Sequence, residues 1–153
     1  MTIVLRPGTP ADATACGTIC YEAFKAVCTA HNFPPDFPSA DVASELLSML
    51  LADPRFYSVV AELDGRIVGS NFLDERSCIA DLGPITVDPT VQNSGVGARL
   101  MRDAIDRAAR RQAAGVRLLQ SSFHNRSHLN SADPVSCCPP ATTKFSPGAW
   151  RPA

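Results

Sequence analysis

The chain has 153 residues, 45% of them hydrophobic and 19% charged, which is apolar material enough for the core of one domain and excludes wholesale disorder. Fourteen Lys and Arg against fifteen Asp and Glu leave a formal charge of −1, a balance without the positive excess that nucleic-acid binding requires. No apolar run approaches the ~20 residues that span a bilayer, and Met1–Leu5 lacks the basic region and length of a signal peptide, so no membrane partner is expected and the cytoplasm is the expected compartment.

Ile3–Leu5 reads as a strand broken by Arg6-Pro7-Gly8. Thr9-Pro10-Ala11-Asp12 then has the form of a helix start, with a hydroxyl cap, proline at the first helical position and an acid three residues after the cap. Cys16, Ile19, Cys20, Ala23, Phe24 and Val27 follow at steps of three and four, one face of a helix. Prolines 34, 35 and 38 forbid continuation, and Ser39 caps a second helix with Val42, Leu46, Leu47 and Leu50 inward, stopped at Asp53-Pro54. Residues 56–63 and 66–72 flank Asp64-Gly65, a turn dipeptide that supplies positive φ, and so predict a hairpin. A further strand is predicted over Ile79–Val87 and a helix over Gly95–Gln112, with Leu100, Met101, Ala104, Ile105 and Ala108 buried and Gly115 closing it. Val116–Ser121 is the last predicted strand. The order β-α-α-β-β-β-α-β places the chain among α+β or mixed α/β folds, a mixed sheet with helices packed on it.

Six cysteines do not form a disulfide pattern: no C-x-x-C pair occurs, and Cys16 and Cys20, four apart, act as small buried hydrophobes. His124 and His128 have the spacing of half a zinc site, but no second ligand pair accompanies them, so no metal is expected. Residues 128–153 hold five prolines and four scattered large apolar residues, and read as an unstructured tail after a domain of residues 1–127.

The informative stretch is Ile85 to Leu100, a strand running through a glycine-containing turn into a helix. Such a turn points unpaired backbone N–H groups at one spot with the helix dipole behind them, which is a cradle for phosphate or pyrophosphate. No lysine follows Gly97, as a P-loop needs, and Leu100 stands where a dinucleotide-binding loop needs a small residue. Gln92-x-x-Gly95-x-Gly97, preceded by Val87-x-Pro89, resembles motif A of the GNAT superfamily of acyl-CoA-dependent N-acyltransferases, and the element order is similar to that family's over residues 2–127.

That resemblance implies an N-acetyltransferase that moves an acetyl group from acetyl-CoA to an amine on a small molecule or peptide. It implies that backbone amides of Gln92, Asn93, Ser94, Gly95, Val96, Gly97 and Ala98 hold the pyrophosphate. Ile85 and Val87 would pair with the pantetheine arm, and Asn125 or His124 would contact the CoA arm further on. Asp81 occupies the strand position where some members carry a carboxylate base; the alternative is a polar strand-edge residue. Asp74 and Glu75 are weaker candidates, and the acceptor would meet Phe33–Phe37. Arg99 and Arg102 either add charge near the cradle or belong to a solvated helix face.

The chain departs from the family after Ser127. A tyrosine that serves as general acid would fall near Ser131 or Ala132, yet the two tyrosines are Tyr21 and Tyr57. The expectation is a domain short of its C-terminal quarter through a change of frame or coding segment, with an open sheet edge for a second copy or a partner strand. The alternative function is therefore a catalytically impaired acyl-CoA-binding fragment of a longer acetyltransferase.

Overall fold

The computed structural model describes residues 2–119. Strand β1 (Ile3–Pro7) leads through a 3-10 turn, Pro10–Asp12, into helix α1 (Ala13–Ala30), and α2 (Ala40–Ala52) follows. Strands β2 (Phe56–Leu63), β3 (Arg66–Asp74), β4 (Ile79–Leu82) and β5 (Thr86–Val87) come next, then helix α3 (Val96–Arg110) and strand β6 (Gly115–Leu118). The sheet runs β1-β2-β3-β4-β6, antiparallel from β1 to β4 and parallel between β4 and β6, with β5 paired to β3. This is the mixed sheet with flanking helices that the element order predicts.

Local chemistry accounts for several element ends. The Asp12 carboxylate accepts from the Thr9 N–H at 2.8 Å and its hydroxyl at 2.9 Å, and also takes a two-point bond from Arg6, so the first helix entry is tied to β1. Ser39 Oγ caps α2 by accepting from the Val42 N–H. Asp64 and Gly65 both take positive φ, 51° and 79°, as the tight hairpin turn requires.

Helices α1 and α2 cover one face of the sheet, where Cys16, Cys20, Leu47, Val60 and Phe72 form a buried cluster. Helix α3 covers the other, over Val59, Ala61, Val68, Val96 and Leu100 and then Leu73, Ala80, Leu82, Ala104 and Ala108. Gly17 lets α1 and α2 touch: a Cβ there would lie 2.4 Å from Ser44 Cα. Burial holds the thiols of Cys16 and Cys20 above the ordinary range, to about 11 and about 12, so both are inert hydrophobes.

Three sequence expectations need correction. The strand over Ile79–Val87 is two strands, because residues 83–85 break it. Val42 does not point inward but is 40% exposed, and Ala43 takes the buried position. Gly115 does not close α3; the chain turns out of the helix at Gln112, φ 55°, and Gly115 opens β6. Strand β6 is described to Leu118, with Leu119 90% exposed after it; Gln120 and Ser121, the end of the expected strand, lie outside the described residues. The tail over 128–153 and the residues His124, Asn125 and His128 lie outside the described residues.

Candidate functional site

The loop between β5 and α3 is built by Asp88. Its Oδ1 accepts from the Thr90 N–H at 2.8 Å and the Thr90 hydroxyl at 2.7 Å, capping a 3-10 turn over Pro89–Val91, while Arg66 Nη1 holds its other oxygen at 2.6 Å. The Asp88 N–H donates to Val68 O, pinning the loop to β3. Asn93 and Gly95 then turn left-handed, φ 69° and 85°, and α3 begins at Val96. Ser94 Oγ donates to Val91 O at 2.6 Å and closes the turn on itself.

Three features of this helix start suit an anion. Gly95 stands at the cap position with no side chain to bond the N–H groups of the first turn. That first turn carries no acid, although the helix dipole would favour one there. A Cβ on Gly97 would meet only Val87 Cγ2, at 3.6 Å, so internal packing does not demand a glycine and the space above it is open. Gln92, Asn93, Ser94, Gly95 and Ala98 are exposed, Gly97 is half-buried, and Val96 is buried beneath them as the anchor. The residues present thus fit a pyrophosphate on backbone amides.

Beside the cradle the sheet opens. Leu73 pairs with Leu82 before the break and Ser70 with Thr86 after it, so Asn71 and Phe72 of β3 face three residues, Gly83, Pro84 and Ile85. This is a bulge, and Pro84 with no N–H to donate suits it. The buried Asn71 side chain repairs the ladder: its Oδ1 accepts the Phe72 N–H at 2.9 Å, and its Nδ2 donates to Leu100 O on α3 at 3.1 Å. Thr86 is buried with its hydroxyl on Ser70, a packing role.

Past the bulge, Asp88 donates to Val68 O, so the antiparallel alternation makes Thr86 the residue that bonds β3 and turns the main-chain groups of Val87 and Ile85 to the opposite side. Strand β6 follows β4 only from Ile79–Gly115 to Leu82–Leu118. Among the described residues no strand pairs with the outer edge of β5. An extended ligand arm could add itself there.

Asp81 is half-exposed on the sheet face shared with α1 and α2, since its neighbours Ala80 and Leu82 point to α3. Its carboxylate is forked by Arg117 from β6, which holds its pKa below the usual carboxylate range. Asp74, directly opposite Asp81 in the register, is held low in the same way by Arg76. Glu75 is turned to the α3 side and buried between Arg107 and Arg111. Arg99 does not reach the cradle; its Nη1 donates to Ile3 O at 2.8 Å, and Arg102 is exposed.

Phe37 packs edge-on against Phe24 over the core, whereas Phe33 is 51% exposed. Tyr57 is spent on the α3 face, where its hydroxyl donates to Asp103 at 2.6 Å; burial and that bond push its pKa up to about 12. A cavity of ≈ 220 Å³ beside Cys78, Glu75 and Gln112 lies at the far end of α3, away from the cradle. Among the described residues no group of His, Cys, Asp and Glu is placed to hold a metal, and no helix is long and apolar enough to cross a membrane.

Comparison with known proteins adds two findings. The model of the acetyltransferase (GNAT) family matches residues 21–128. Solved structures share the fold: an N-acetyltransferase, PaiA, from Thermoplasma acidophilum in complex with coenzyme A has TM-score 0.69 at 14% identity, covering 86% of this chain and 87% of that one. A GNAT family acetyltransferase from Brucella melitensis in complex with acetyl-CoA has TM-score 0.63 at 22% identity, covering 83% and 81%. An aminoglycoside acetyltransferase from an uncultured soil metagenomic sample has TM-score 0.61 at 20% identity, covering 99% and 97%. No curated protein matches.

Proposed function

The chain belongs to the GNAT acetyltransferase family, and from that premise we propose that it transfers an acetyl group from acetyl-CoA to an amine on a small molecule or peptide. The observation that carries this reading is the juxtaposition of an acid-free, glycine-capped start of α3 with the outer edge of β5, at Ile85–Val87, which no described strand pairs. The amides of Gln92 to Ala98 would receive the pyrophosphate. The outward main-chain groups of Ile85 and Val87 would receive the amide groups of the pantetheine arm, and Asn125 would contact the arm further along.

Acetyl-CoA supplies an activated thioester carbonyl. The chain's part is to hold that carbonyl at the bulge, where a backbone N–H at Gly83–Val87 would meet the negative charge developing on its oxygen. A neutral amine must attack, so an ammonium acceptor has first to lose a proton. Asp81 is the strand carboxylate proposed to receive it, through water. The Arg117 fork keeps Asp81 ionised, as a base must be, and also weakens it as a proton acceptor. The same ion pair favours a second role, in which Asp81 orients Arg117.

The test is release of free CoA thiol by the 153-residue chain from acetyl-CoA across a panel of amines. Turnover with any amine supports the transferase. Stabilisation by CoA without turnover supports instead the impaired acyl-CoA binder, a reading favoured by the absence of any tyrosine after Tyr57.

A further inference from the structure

One charged row on the α1/α2 face of the sheet is left unused by the cradle. Phe56 pairs with Asp74, Asp74 with Asp81, and Asp81 with Arg117, so four strands contribute to a single line across the sheet. Arg55 and Arg76 join it from the two loops at its end, which are tied together where the Glu75 N–H donates to Arg55 O. Arg76 lies over the Phe56 ring, 4.8 Å from its centre.

The three ion pairs in this row, Asp53–Arg55, Asp74–Arg76 and Asp81–Arg117, are built alike. In each, the carboxylate takes Nε and Nη2 of its arginine. No described group bonds the Nη1 end of any of the three guanidinium groups. The carboxylates are the covered members, with side chains 23%, 15% and 36% exposed, and the arginines the open ones, at 65%, 50% and 60%. Each pair is therefore a dipole with its positive end outward and its guanidinium angle already fixed. A cation would have to displace an arginine to reach a carboxylate, whereas an anion meets pre-oriented N–H donors that no described group takes.

Resting on the proposed acetyltransferase reading, we infer that the acceptor carries a carboxylate in addition to its amine, and that Arg117 and Arg76 bind it. Asp81 stands two residues from Gly83, roughly 7 Å along the strand, so the fitting acceptor separates amine from carboxylate by about 7–12 Å, as an ω-amino acid or a short peptide does.

The discriminating pair is 6-aminohexanoate and hexylamine, which share the amine and differ in the carboxylate. Each is titrated calorimetrically into the full chain saturated with CoA, so no turnover is needed. The expected result is binding of 6-aminohexanoate at least tenfold tighter than hexylamine. Arg117→Gln and Arg76→Gln, each checked by its melting curve, should cut that preference by about threefold or more. Equal binding of the two, a preference that survives both substitutions, or no saturable binding of either up to about 20 mM would overturn the inference. Failure of CoA itself to bind is read separately from the CoA titration, and would defeat the acetyltransferase reading instead.

Discussion

Ala98→Glu separates the demands of folding from those of binding. Ala98 is exposed in the first turn of α3, a turn without an acid, so a glutamate there touches no core residue. The helix dipole should favour it by about 0.3–1 kcal/mol, against a helix-propensity loss of a few tenths. The melting temperature should thus hold or rise by up to about 3 °C.

Binding should move the other way. A carboxylate roughly 6 Å from a pyrophosphate bearing two negative charges is repelled by about 1.4 kcal/mol even at the dielectric of water, and by several-fold more at an effective dielectric near 20. Acetyl-CoA affinity, read by calorimetry, should fall at least about tenfold, while the uncharged Ala98→Gln loses far less. An Ala98→Glu chain that binds acetyl-CoA within twofold of the parent would refute the placement of the pyrophosphate on this helix start.

Arg6→Gln leaves the Asp12 carboxylate, 9% exposed, without its two-point partner, and should cost about 2 kcal/mol in thermal or urea unfolding. Asp12, Asp74, Asp81 and Asp88 all have folded pKa values below the ordinary carboxylate value, so the unfolded chain binds protons more readily. Their stabilisation is present above pH about 4 and lost as pH falls through the folded values; melts between pH 7 and pH 3 should stay level and then drop at the acid end. Gly17→Ala drives a Cβ into Ser44 and should destabilise by about 1–3 kcal/mol or more, with no direct effect on the cradle. If Asp81 takes the proton, Asp81→Asn should lower kcat with any acceptor that turns over and remove the acid limb of its pH profile; an unchanged profile assigns Asp81 to orienting Arg117 alone.

Elements whose cause is local were readable in the sequence. Thr9 with Asp12, Ser39, the Asp64-Gly65 turn and Gly95 all act within three or four residues, and each does in the structure what its chemistry dictates. The break at residues 83–85 is masked in the sequence because Ile79–Val87 carries the composition of one continuous strand; Pro84 is a local signal of it. Asn71 gave no sign of itself, since its role exists only once the bulge removes a ladder partner from Phe72 and α3 brings Leu100 within reach. The arginine row depends on cross-strand register between residues 36 positions apart, which no local pattern encodes. Arg99 shows the converse: its place on the helix pointed to the cradle, but the end of β1 lies closer and takes it.

The most direct measurement is thermal unfolding of the 153-residue chain with and without millimolar acetyl-CoA. A ligand at 100 times its dissociation constant adds ~2.7 kcal/mol, so the account predicts a cooperative melt that rises by several degrees. A cooperative melt that does not move would contradict the acetyl-CoA cradle at Gln92–Ala98.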